Sequence, residues 1–272
     1  MADYARPEMI VDGDWLEPRL DDPSIRIVDC DHPESWNRAH LPGAVQVADH
    51  YYKDAQNSLV IMGPEQFVAT MSKMGIGDDT EVVGYDTSGA RFSGRLWWCL
   101  QYYGHAKARI LDGGWPKWFR ENRPVSIDRI PPPPAKFTAR PDPYLMASAD
   151  DVKAAMGRHG TVILDVRSDA EWQGEESRGN RRTGRIPGSL HVEWLNTVSL
   201  DELQLLKPAE VLSRLYDDAG VTADKEVITV CQSGVRAAQT ATVLKLLGFD
   251  RVRVYDASFA EWGNRDDTPV ER

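Results

Sequence analysis

Cysteine is scarce in this chain: Cys30, Cys99 and Cys231 are the only three among 272 residues. So small and odd a count excludes a disulfide scaffold, and the six histidines (32, 40, 50, 105, 159 and 191) are too scattered for a zinc-type Cys/His spacing. No apolar run approaches the roughly 20 residues of a membrane-spanning helix, so no membrane partner is expected. The start, Met1 to Pro7, lacks the apolar stretch of a signal peptide, which makes the cytoplasm the expected location. Positive charge is also in deficit. A formal net charge of −10 offers no basic field for nucleic acid, so an anionic small molecule would need a local positive patch. The remainder, 42% hydrophobic and 27% charged, is the balance of an ordinary globular protein long enough for one or two domains.

One stretch concentrates chemistry. Val227-Ile228-Thr229-Val230 is a β-branched apolar run and reads as a short buried strand. From Ala237 to Leu247 the composition is that of a helix, stopped by Gly248. Between them lies a six-residue turn, Cys231-Gln232-Ser233-Gly234-Val235-Arg236. Such a junction aims unpaired backbone N–H groups at one point, and the positive end of the helix dipole adds to them. Gly234 can take positive φ and let the turn curl, which would stabilise Cys231 as a thiolate. Taken alone, the pattern fits a buried structural cysteine equally well. Cys30 and Cys99 sit inside apolar runs and read as small core residues.

The chain is duplicated. Pro42-Gly43 and Pro187-Gly188, Gly89 and Gly234, and Arg91 and Arg236 are each 145 residues apart; Asp112 and Asp256, and Trp118 and Trp262, are 144 apart. Strands and helices alternate in each copy, which argues for a mainly parallel α/β sheet flanked by helices, twice over. The boundaries expected are 1–125 for the first domain, 126–144 for a linker stiffened by Pro131 to Pro134, and 145–272 for the second domain. The repeat carries its own control, because Asp86 stands where the second copy has Cys231. The second copy is also nine residues longer before its Pro-Gly turn. Within that added length, Arg178, Arg181, Arg182 and Arg185 fall in eight residues.

Five motifs, in order and duplicated, give the chain its resemblance to a two-domain rhodanese of the thiosulfate/3-mercaptopyruvate sulfurtransferase group. They are Leu41-Pro42-Gly43-Ala44, Tyr85-Asp86-Thr87-Ser88-Gly89, Leu111-Asp112-Gly113-Gly114-Trp115, Ile186-Pro187-Gly188-Ser189 and Cys231 to Arg236. The resemblance spans about Val11 to Pro269. It implies a silent first domain, a catalytic second domain and no metal or organic cofactor. It also implies a Cys231 persulfide, charged by a small-molecule sulfur donor and discharged to cyanide or a thiol. The active-site loop would be Gln232, Ser233, Gly234, Val235 and Arg236, and a monomer is expected.

Donor choice is less direct. Thiosulfate enzymes of this family carry positive residues after the cysteine, and mercaptopyruvate enzymes a Cys-Gly-Ser-Gly-Val-Thr type of turn. This chain matches neither. Mercaptopyruvate enzymes also place an arginine near position 171, where this chain has Glu171, and another in the insertion, where Arg178 is the counterpart. The expectation is therefore thiosulfate or a related sulfane donor, contacted by Arg178, Arg181 and Arg182, with 3-mercaptopyruvate as the alternative. Arg236 is expected to pair with Glu171 and brace the loop rather than bind the donor. Two further readings are a persulfide carrier serving a protein partner and a phosphatase-like enzyme. The phosphatases with a similar turn span seven residues from Cys to Arg, against six here.

Overall fold

The computed structural model describes residues 4–47, 49 and 51–272; the first three residues and His50 named above lie outside them. The first copy contributes β1 (Ile10–Val11), β2 (Ile25–Asp29), β3 (Val45–Gln46), β4 (Glu81–Tyr85) and β5 (Ala108–Leu111), and the second β6 (Met146–Ala147), β7 (Thr161–Asp165), β8 (Leu190–His191), β9 (Glu226–Val230) and β10 (Val252–Tyr255). The helices of the first copy are α1 (Gly13–Leu16), α2 (Pro33–Arg38), α3 (Pro64–Lys73), α4 (Arg91–Tyr102) and α5 (Gly114–Arg120). Those of the second are α6 (Ala149–Ala155), α7 (Asp169–Gln173), α8 (Ala209–Asp218), α9 (Val235–Leu246) and α10 (Ser258–Trp262).

Each copy forms a five-stranded sheet, in the orders β1-β5-β4-β2-β3 and β6-β10-β9-β7-β8, and every pairing is parallel. The two orders are one permutation, as a duplication requires. The α/β class and the two-domain repeat are those expected from the sequence. β9 lies between β7 and β10 and is covered on both faces, which is why its sequence is continuously apolar rather than alternating. No helix among the described residues is long and apolar enough to cross a membrane.

The proline-rich stretch is not a free spacer. The Ala135 N–H donates to the Ser72 carbonyl, the Asp78 N–H to the Lys136 carbonyl and the Arg140 N–H to the Tyr103 carbonyl. Phe137 is buried against Phe67 and His105. A stiff extended chain has no internal hydrogen bonds to satisfy, so it can give its backbone groups to the first domain and lie along it.

The two domains meet through α4 and α9, the helices that follow the two equivalent turns. Both are buried nearly all round, and α9 manages this with small residues such as Ala237, Ala238 and Ala241. Gly94 and Gln239 hold equivalent positions in the repeat, and they touch: a Cβ on Gly94 would lie 3.0 Å from Gln239 Cα. The Thr242 hydroxyl donates to the Gly94 carbonyl at 3.2 Å. Equivalent residues in mutual contact mean that the domains are related by an approximate two-fold through this point. Gly94→Val should therefore wedge the helices apart and lower stability by about 1–3 kcal/mol, read as a reduced urea midpoint; an unchanged midpoint would show that the helices can separate without cost.

Candidate active site

β9 delivers Cys231 to the carboxyl edge of the second sheet, where parallel α/β sheets hold their ligands. Cys231 is 1% exposed, and its Sγ accepts the Gly234 N–H at 3.1 Å. The Cys231 N–H donates to Ser258 Oγ at 3.1 Å, and that hydroxyl donates to the Tyr255 carbonyl at 2.6 Å. Phe259 and Ala260 N–H groups donate to the carbonyls of Cys231 and Gln232 at 3.0 and 2.9 Å. The first turn of α10 thus fixes two carbonyls of the loop, while the Gly234 N–H points to the thiol. Ser258 pays for this placement with φ of +53°, a left-handed conformation unusual for serine. Gly234 has φ of +81°, and a Cβ there would come within 2.2 Å of Asp256 Oδ1. Only glycine fits.

The first domain shows what the same turn holds when no cysteine is present. The Asp86 carboxylate accepts N–H groups from Ser88 (2.7 Å), Ala90 (3.2 Å), Phe92 (2.9 Å) and Ser93 (2.8 Å), and the Ser93 hydroxyl at 2.9 Å. The turn is an anion cradle at a helix N-terminus, and in this copy it is filled by the protein's own carboxylate. Cys30 and Cys99 are fully buried, and burial pushes both thiols up, Cys99 to about 12.

The ion pair expected between Glu171 and Arg236 is present. Arg236 donates to both carboxylate oxygens, at 2.6 and 2.9 Å, and Glu171 is 1% exposed. Ser168 caps α7 and adds its hydroxyl and N–H to the same carboxylate at 3.0 and 3.2 Å. Burial alone would raise this carboxyl, but the Arg236 hydrogen bonds and charge outweigh it and hold Glu171 at about 2.

The four insertion arginines part company. Arg178 reaches Glu176 at 3.0 Å and Glu171 at 3.7 Å and lines a cavity of about 380 Å³ beside the cysteine loop. Arg181 and Arg182, expected at the donor, are engaged elsewhere. Arg181 pairs with Asp266 at 2.5 Å. Arg182 donates to the carbonyls of Trp262 (2.8 Å), Thr268 (2.5 Å) and Arg265, tying the insertion to the chain after α10. Arg185 pairs with Glu271 at 3.0 Å. A run of arginines that closes a long loop needs carbonyl partners, and adjacent side chains cannot all face one pocket. Gln232 is held by a reciprocal amide pair with Asn180, at 3.0 and 3.1 Å, so the insertion also grips the loop from its outer side.

Several residues at the site had no local signal in the sequence. Arg167 is buried, chelates Asp165 through Nε and Nη2 at 2.6–3.0 Å, and holds the Gly184 carbonyl at the end of the insertion. Asp256, behind Gly234, is held by Arg95 at 2.6 Å and Lys53 at 3.1 Å, both from the first domain. The cavity is walled by Gln232, Ser233, Val235 and Arg236 on one side, by Glu193, Trp194 and Leu195 on another, and by Tyr51, Arg91 and Phe92 of the first domain. No group of three or more His, Cys, Asp or Glu among the described residues could hold a metal ion.

Two parallel folds with the same strand–turn–helix junction, one holding a cysteine in the turn and the other a carboxylate, define the class. The chain belongs to the rhodanese-like domain family, whose model matches residues 12–121 and again 148–265. Over nearly its whole length it is similar to a sulfur carrier protein, TtuD, of Thermus thermophilus (32% identical; 99% of this chain, 98% of the relative). It is 32% identical to a 3-mercaptopyruvate sulfurtransferase of Escherichia coli, covering 96% of this chain and 97% of that one. A Mycobacterium tuberculosis protein provisionally named a thiosulfate sulfurtransferase is 33% identical (98% and 99%). Among solved structures, SseA from E. coli superposes with a TM-score of 0.82 at 31% identity, covering 92% of this chain and 98% of SseA. An anaerobic ergothioneine biosynthesis enzyme of Chlorobium limicola shares the fold at TM-score 0.90 and 21% identity, covering 98% of this chain and 71% of that one.

The Glu171–Arg236 pair carries a pH signature. A carboxyl held near 2 instead of its ordinary 4.5 adds stability on the order of 3 kcal/mol that is complete above pH 4.5 and fades as the pH falls towards 2. Arg236→Ala should cost about 3–5 kcal/mol at neutral pH by stranding the buried carboxylate. Glu171→Gln should flatten the acid limb of the stability curve between pH 4.5 and 2. Wild-type melting of both variants at pH 7 would show that the pair does not brace the loop.

Proposed function

We propose that the protein is a sulfurtransferase working by a two-step exchange on Cys231, with thiosulfate or a related sulfane donor as its sulfur source. In the first step the Cys231 thiolate attacks the outer sulfur of the donor. The donor's S–S bond breaks, sulfite leaves with the bonding electron pair, and a Cys231 persulfide remains. In the second step cyanide or a thiol attacks the terminal sulfur, and the thiolate returns as leaving group.

One observation carries this reading. Cys231 occupies the turn position that in the sister domain holds the Asp86 carboxylate among four N–H groups, and its Sγ already accepts the Gly234 N–H, which supports a thiolate or a persulfide anion there. Arg236 and Arg178 lie at the same cavity, and Glu171 ties both down, which supports a bracing role for Arg236 and leaves Arg178 at the cavity wall. Arg181 and Arg182 are turned to the 262–268 segment, so the donor contacts assigned to them are dropped. A glutamate at position 171 favours thiosulfate over 3-mercaptopyruvate, although the E. coli relative bears the latter's name. The similarity to a sulfur carrier favours a second reading, in which the acceptor is a protein thiol.

Incubation with thiosulfate should add the mass of one sulfur atom to the Cys231 peptide and nothing to the peptides of Cys30 and Cys99. Cys231→Ser should acquire no sulfur and lose turnover to cyanide altogether. Persistent turnover in that variant would overturn the assignment. A higher kcat/KM with 3-mercaptopyruvate than with thiosulfate would replace the donor, and discharge to a protein thiol but not to cyanide would establish the carrier.

A further inference from the structure

Three arginines line the cavity beside the cysteine loop, and two of them are neutralised. Arg236 is bonded to both oxygens of Glu171, and Arg178 lies against Glu176 and Glu171. The third, Arg91, comes from the other domain. It opens α4 at the position equivalent to Arg236, and it has no ion-pair or hydrogen-bond partner among the described residues. Its Nε is shut off from water without an acceptor. The guanidinium lies over the Phe92 ring at 4.3 Å and reaches across the domain boundary to the Trp194 ring at 5.7 Å. Stacking on aromatic faces fixes the plane of the group and leaves its N–H edge for a ligand.

The surroundings ask for an anion. A half-buried guanidinium without a counter-charge is costly, and an oxyanion bound in the cavity at its Nη edge would supply that charge. The N-terminus of the 12-residue helix α9 faces the same cavity, and its dipole acts in the same sense as the Arg91 charge. Glu193 is the carboxyl group lining the cavity; burial, with Asp169 and Glu171 nearby, raises it, and it makes no ion pair with Arg91. In the first domain the corresponding charge relation is already settled, because Asp86 fills its own cradle at the start of α4.

We propose that Arg91, supplied by the domain without the cysteine, holds the anionic end of the sulfur donor while its outer sulfur faces Cys231. This deepens the sulfur-transfer reading and rests on it. It makes Arg91, rather than the insertion arginines, the residue that sets preference for a doubly charged donor. It also gives the silent domain a direct part in the site.

Binding can be separated from chemistry by calorimetric titration of the full chain carrying Cys231→Ser, with thiosulfate and, in a second titration, 3-mercaptopyruvate. The expected result is a dissociation constant raised at least tenfold when Arg91→Met is added, with partial recovery in Arg91→Lys and no change in thermal midpoint. An unchanged constant for both donors overturns the proposal, and so does an absence of binding before Arg91 is altered. If Arg91→Met unfolds, Arg91→Gln, which keeps polarity without charge, must show the same loss. Failure of the sulfur-transfer reading itself would appear separately, as a wild-type protein that acquires no sulfur on Cys231.

Discussion

The arrangement hangs on one buried carboxylate. Asp256 follows β10, packs its side chain and carbonyl against Gly234, and so sets the curvature of the turn that carries Cys231. Its charge is balanced from the other domain, by Arg95 with no exposure at all and by Lys53. Burial alone would raise this carboxyl; the Arg95 and Lys53 charges overcome that and hold it down. A buried ion pair of this sort contributes little to net stability, but removing one partner leaves a charge stranded at a cost of about 3–5 kcal/mol. The cluster therefore works as a registration device. The loop's curvature is thereby tied to the docking of the two domains.

Docking itself follows from duplication. Equivalent helices meet at Gly94 and Gln239, near their N-terminal ends, so the approximate two-fold brings both helix starts to one cavity. The start of α4 already holds the Asp86 carboxylate, which leaves the start of α9 and Arg91 as the positive groups among the described residues without a counter-charge there. Against a net charge of −10, they make this cavity a local exception for an anion. The extended 126–144 segment fits the same scheme: by lying on the first domain it spans the distance without adding a third body.

Much of this was legible from residue order. Glycine and proline punctuation marked the turns, and the β-branched run Val227 to Val230 marked β9. The Glu171–Arg236 pair was foreseeable from the family resemblance rather than from local spacing, since the two residues are 65 positions apart. What could not be read were relations between the copies. Arg95 and Asp256 are 161 residues apart, and neither position carries a local signal of the other. The edge strands β1 and β6 have two residues each, too short for any periodicity. The arginines at 181 and 182 misled for a related reason: sequence shows how many charges a loop holds, but not which of them its own backbone carbonyls will consume.

The duplication also sets the two turns against each other, since only one copy keeps a cysteine there. In the first domain the sites around the turn are Asp29, Asp31 and Asp86; in the second the equivalents are Asp165, Arg167 and Cys231. Burial, with Asp86 and Asp29 nearby, raises Asp31 to about 7, which marks a site already crowded with negative charge. An incoming anion there would find the cradle filled and its rim repulsive. Exchanging Asp31 for an arginine that chelates Asp165, and Asp86 for a thiol, reverses both conditions at once. Neither exchange would suffice alone. A thiolate beside two carboxylates would be held in its protonated, inert form, and an arginine beside a filled cradle would have nothing to attract. The first domain then supplies what the second lacks: the cations that hold Asp256 and the aromatic-stacked wall of the cavity.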